Sequence, residues 1–155
     1  MAPKTYSRLG VKLVRKSIES GSGRVSVAYA ERVGTPPTAC LFIAHGVKSS
    51  MNSSLVDYFH SGLASHGFLT VKFNFPYAEG RWRFARKPDR TEVLVECYWR
   101  VVEDTRKSEW KLENLFLGGI SMGRRSGRMS SQMGRYSSSE GTILSQLSTP
   151  SSQKP

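Results

Sequence analysis

The order of apolar and polar positions predicts alternating strands and helices over most of the chain. Val11–Ile18 and Arg24–Ala30 read as two strands around the turn Ser20-Gly21-Ser22-Gly23, and Val25, Val27 and Tyr29 share one face of the second. Gly34-Thr35-Pro36-Pro37 reads as a loop. Ala39–Ala44 is a continuous apolar run, the pattern of a strand covered on both faces. Met51, Leu55, Phe59 and Leu63 recur every four residues and predict a helix over Ser53–Ser65 with that stripe buried, capped by Asn52 or Ser53 and ended by Gly67. Phe68–Phe75 predicts a further strand and Pro76–Asp89 a loop. Arg90–Lys107 predicts a second helix with Val93, Cys97 and Val101 beside Leu94, Tyr98 and Val102. Asn114–Ile120 predicts the last strand.

This order is an antiparallel hairpin followed by β-α-β-α-β, an α/β fold with a parallel sheet and helices on its faces. Sites in such sheets lie at the carboxyl ends of the strands, where the loops 45–50, 76–87 and 121–124 are expected to meet.

The pattern changes after Gly123. Residues 124–155 are rich in Ser, hold Arg124, Arg125, Arg128, Arg135 and Lys154 against the single acid Glu140, and offer few large apolar residues. Such a segment buries too little to offset its ordering entropy, so a disordered Ser/Arg-rich tail is expected there. The expected organisation is a flexible N-terminus (1–10), a partial α/β domain (11–123) and this tail. The abruptness of the change suggests translation in a shifted frame or an aberrant terminal exon.

The chain has 155 residues, enough for one domain, with a net charge of +11. That charge taken alone suggests nucleic acid or an acidic membrane as partner. Much of it sits in the tail and in Arg81, Arg83, Arg86 and Lys87, a loop interleaved with Trp82 and Phe84, so nucleic acid is not the favoured partner. No apolar run is long enough to span a membrane, and the basic start Met1–Ser17 lacks a secretory apolar region. A cytoplasmic location is expected, with a mitochondrial leader left open. Cys40 and Cys97 lie within predicted elements and read as two buried thiols. No metal-ligand spacing and no phosphate-binding glycine loop occur, so no cofactor or metal is expected.

The chemistry is carried by Gly119-Ile120-Ser121-Met122-Gly123, a G-x-S-x-G directly after a buried strand. That arrangement lifts the serine hydroxyl above a sheet on a tight turn, with the next backbone N–H free to face an oxyanion. Flanking glycines are expected because side chains there would meet neighbouring backbone. A second donor is expected from the loop at His45-Gly46-Val47.

The chain resembles the α/β-hydrolase superfamily, specifically the dienelactone-hydrolase-like, KANSL/Tex-type branch. The resemblance rests on LFIAHG (41–46), MNSSLVDYFHSGLASHGF (51–68), VKFNFPYAEGR (71–81), KPDR (87–90), CYWRVVE (97–103) and LFLGGISMG (115–123). It implies Ser121 as nucleophile, the Met122 and Val47 amides as oxyanion hole, and His45, Gly46, Gly119 and Gly123 as support at the site edge. It also implies an ester-like small-molecule substrate. Relatives carry His-Gly-Ala-Gly where this chain has His45-Gly46-Val47-Lys48.

In this family the triad acid and base follow the serine. Here His45, His60 and His66 all precede Ser121, and Glu140 is the only later acid. His45 is the one candidate for a surrogate base; His60 and His66 are expected to be exposed or hydrogen-bonded bystanders. Impaired or absent activity is therefore expected. The alternatives are a non-catalytic interaction protein or fragment with a protein partner, and a basic nucleic-acid-binding protein.

Overall fold

A computed structural model describes residues 4–8, 10–80, 87–110, 112, 114–120 and 134–137. Seven strands form one sheet: β1 (Lys4–Arg8), β2 (Val11–Glu19), β3 (Arg24–Arg32), β4 (Cys40–Ala44), β5 (Leu69–Phe73), β6 (Asn114–Gly119) and β7 (Gly134–Ser137). Their spatial order is β1-β2-β3-β5-β4-β6-β7. Two helices, α1 (Ser54–Ser65) and α2 (Thr91–Arg106), make the crossovers.

The hairpin and the β-α-β-α-β order stand as the pattern predicts. β2 and β3 pair antiparallel from Val11↔Arg32 to Glu19↔Arg24. β4 pairs parallel with both β5 and β6. This central position explains its unbroken apolar run, because both of its faces are covered. β3 joins the parallel set antiparallel, with Val27 opposite Phe73.

Two segments depart from the expected outline. Residues 1–10 were expected to be flexible, yet Lys4–Arg8 forms an edge strand paired with β2. Gly10, at φ +74, allows the chain to reverse there, and its carbonyl accepts the Val33 N–H at 2.8 Å. In the tail, Gly134–Ser137 pairs antiparallel with β6, where composition announced no element. Backbone pairing can recruit a short segment of low apolar content, since ladder hydrogen bonds do not depend on the side chain.

The larger core lies between the sheet and α2. Val25, Val27, Tyr29, Phe42, Leu69, Val71 and Phe73 meet Cys97, Val101 and Val102. The α2 stripe is therefore the predicted one. Each fully buried Phe or Leu here contributes about 1.5–3 kcal/mol relative to exposure. Cys40 and Cys97 are buried free thiols, and burial pushes the Cys97 thiol up to about 12.

The other face of the sheet corrects the expectation for α1. Its buried residues are Val56, His60 and Ala64. Leu55, Tyr58 and Phe59 are exposed, so Leu55 and Phe59 do not form the buried stripe. Ala64 packs with Ala30 and Val11 in a small second cluster. Small residues on both sides let the helix approach closely, and that contact selects the face one position on from the apolar stripe. The Ser53 side chain accepts the Val56 N–H at 3.4 Å and caps the helix. Gly67, at φ +91, ends it as expected.

Polar groups stitch α1 to the sheet. His60 is 1% exposed, and its Nε2 donates to the Ala28 carbonyl at 3.2 Å. It is thus buried, contrary to any exposed placement, and hydrogen-bonded. Thr70 Oγ1 donates to the His60 carbonyl at 2.8 Å. Lys72, in the middle of β5 and 1% exposed, pairs with Asp57 of α1.

Candidate active site

The carboxyl edge of β4 delivers His45, Gly46 and Val47, and its geometry centres on one carbonyl. The Gly46 oxygen accepts three donors: His45 Nδ1 at 2.9 Å, the Ser49 N–H at 3.2 Å and the Tyr77 hydroxyl at 3.3 Å. The Ser49 bond closes a four-residue turn over Val47 and Lys48. Lys48 sits at φ +58, the one non-glycine residue with positive φ among the described residues. A type II turn requires positive φ at this third position and favours glycine there. The lysine that departs from the family pattern therefore keeps a glycine-like backbone, at a cost of about 1–2 kcal/mol.

His45 is 4% exposed, and both ring nitrogens are engaged. A carbonyl only accepts, so Nδ1 carries the proton toward Gly46. Nε2 accepts the Phe75 N–H at 3.2 Å. Burial holds the ring's pKa below the usual histidine range, partly opposed by the Gly46 bond and by Glu79. This neutral, doubly bonded ring has no nitrogen left to take a serine proton, so His45 is not a surrogate base. His60 is committed to Ala28, and the exposed His66 donates from Nδ1 to the Gly62 carbonyl at 2.7 Å.

Residues after β5 form the other wall. Phe75 and Tyr77 stack at 6.1 Å, and both set ring edges against His45, at 5.2 Å and 5.7 Å. Tyr77 lies in a 3-10 turn, Pro76–Ala78, and its N–H donates to Asp89 Oδ2 at 2.8 Å. Asn74 Oδ1 accepts the Met51 N–H at 2.8 Å and ties the same wall to the start of α1. The apolar pattern alone predicts a strand end and the start of a loop at 74–77, within the 71–81 segment that carries the resemblance. The aromatic cluster Phe73, Phe75 and Tyr77 was the available signal. An open cleft of about 380 Å³ lies beside this wall, lined by Ser22, Pro76, Tyr77, Lys87, Asp89 and Val93.

β6 runs parallel to β4 on the opposite side, with Gly119 opposite Ala44. The Ile120 N–H donates to the Ala44 carbonyl at 2.9 Å, extending the ladder to the edge. Ser121, Met122 and Gly123 lie outside the described residues, as does the basic loop 81–86. At Gly118, an added Cβ would lie 3.3 Å from the Phe42 carbonyl oxygen, a tight contact with backbone. At Gly119 it would meet Ala44 Cβ at 3.8 Å, an ordinary contact with the described residues. The Tyr98 hydroxyl donates to the Gly118 carbonyl at 3.0 Å and locks this strand end to α2.

Among the described residues, no group of three His, Cys, Asp or Glu side chains is placed to hold a metal ion. No helix there is long and apolar enough to cross a membrane.

Comparison with known proteins adds a family. Residues 37–147 match the model of the alpha/beta hydrolase domain, more than half of the chain, and the match continues past Gly123. Among solved structures, a cold-adapted esterase from an Arctic intertidal metagenomic library superposes with a TM-score of 0.61 at 16% identity, covering 79% of this chain and 56% of that one. An alpha-beta serine hydrolase homologue from Coxiella burnetii gives 0.58 at 22% identity, covering 69% and 51%. A lidless α/β serine hydrolase from Xanthomonas campestris gives 0.57 at 21% identity, covering 72% and 51%. The chain spans about half the length of these proteins. At such identities the likeness establishes the fold.

Proposed function

The chain belongs to the alpha/beta hydrolase domain family, and from that premise we propose that it carries the nucleophile and oxyanion half of an ester-hydrolysing site. In this reading Ser121 is the nucleophile, and the Met122 and Val47 amides receive the oxyanion. The substrate class is a small ester. The single observation that supports it is the Ile120–Ala44 hydrogen bond, because it sets Ile120, the residue before Ser121 in the sequence, beside the end of β4, where His45 and Gly46 follow. Within that family, the resemblance of the motifs at 41–46 and 71–81 favours the KANSL/Tex-type branch.

The same reading makes the 155-residue chain a poor catalyst. A serine hydroxyl needs a base to become a nucleophile. No histidine follows Ser121, and the three that precede it are bonded elsewhere. The test is labelling by a fluorophosphonate serine probe, with Ser121→Ala as control. Little or no labelling is expected; strong labelling that depends on Ser121 would show a competent base and overturn the impairment.

A second reading, a partner-binding protein, is favoured by one observation. Leu55, Tyr58 and Phe59 expose a contiguous apolar stretch of α1. Concentration-dependent association that Phe59→Ser abolishes would support it.

A further inference from the structure

The Gly46 carbonyl and the Val47 N–H belong to one peptide unit, and no cis peptide occurs among the described residues. In a trans peptide the two bonds point in opposite directions. Whatever fixes the Gly46 oxygen therefore fixes the direction of the Val47 N–H. Three donors fix it: His45 Nδ1, the Ser49 N–H and the Tyr77 hydroxyl. Two of these lie beside the continuation of β5, through Tyr77 itself and through the Phe75 bond to His45. The Val47 N–H then leaves on the other side, away from that wall. Among the described residues it has no acceptor of its own.

We infer that Tyr77 is a positioning residue, whose hydroxyl, together with the His45 ring, holds the Gly46 carbonyl so that the Val47 N–H stays aimed at the oxyanion. The inference rests on the site reading above. It assigns Tyr77 a task beyond packing, namely preorganisation of a donor before charge develops. Burial, together with Asp89, raises the Tyr77 hydroxyl above its ordinary range and keeps it a donor at neutral pH.

The test uses the full chain labelled for NMR, with Tyr77→Phe, which keeps the ring stacked on Phe75 and removes only the hydroxyl. The Gly46 carbonyl carbon is expected to move upfield and the Val47 amide to shift. Site-specific 3-fluorotyrosine at position 77, a stronger donor, should move the same carbon the other way. Packing alone would not give opposite shifts. In parallel, imidazole is added as an external base and fluorophosphonate labelling of Ser121 is followed. Tyr77→Phe should slow labelling roughly tenfold at saturating probe, with the half-saturating concentration unchanged. An unmoved Gly46 carbon overturns the inference, and so does a moved carbon with unchanged labelling. If the unsubstituted chain takes no label even with imidazole, the nucleophile reading fails, and the two carbonyl shifts alone decide whether Tyr77 holds this peptide.

Discussion

His45 Nε2 accepts the backbone N–H of Phe75 at 3.2 Å, joining the end of one parallel strand to the segment leaving its neighbour. The bond requires an unprotonated Nε2, and the Gly46 carbonyl requires a proton on Nδ1, so the two partners together select one tautomer. Replacing His45 by Ala strands a buried N–H and should lower stability by about 1–3 kcal/mol, read as a shift in the urea midpoint. An unchanged midpoint would show that the bond is not maintained.

His60 makes stability depend on pH. Burial, with Lys72 nearby, pushes its pKa down to about 4, against the Ala28 bond and Asp57. The unfolded chain takes up a proton near pH 6.5 while the folded chain does not. This contribution is full above pH 6.5 and is lost as pH falls toward 4. The loss should reach roughly 3 kcal/mol, from a depression of more than two pKa units. His60→Gln, which keeps a side-chain donor for Ala28 without titrating, should flatten the slope between those pH values. A slope that persists would assign it to other groups.

Lys72 and Asp57 form an asymmetric pair. The lysine side chain is 2% exposed and the aspartate 50%. Removing the aspartate leaves a buried cation, whereas removing the lysine leaves a half-hydrated anion. Asp57→Ala should therefore destabilise by about 2–4 kcal/mol and Lys72→Met by less than about 1 kcal/mol. Equal losses in thermal or urea unfolding would contradict this ordering.

Lys48 offers a test of the turn. Lys48→Gly relieves the left-handed strain but adds unfolded-state entropy, for a net gain of up to about 1 kcal/mol. Lys48→Val, branched at Cβ, should instead destabilise by more than about 1 kcal/mol. The two midpoints moving in the same direction would mean that the turn adopts another backbone conformation.

The fold was legible wherever periodicity had one interpretation. The β2–β3 hairpin, the apolar run of β4, the stripe of α2 and the buried thiols follow from local pattern, because alternation and four-residue spacing reflect the geometry of a single element. The G-x-S-x-G motif and the absence of any histidine after Ser121 are likewise properties of the chain itself. Other features required the partner surface. The face that α1 buries was set by Ala30 and Ala64 and by a polar seat for His60, not by its largest apolar residues. The insertion of β5 between β3 and β4 has no local signature. The fate of His45 was decided by tertiary contact as well: in sequence it is a histidine at a strand end, and the Phe75 N–H, distant in the chain, occupies the nitrogen that the adjacent Gly46 carbonyl leaves over. Spacing along the chain determines which elements can form, while hydrogen bonds between residues far apart in sequence determine which groups remain free to react.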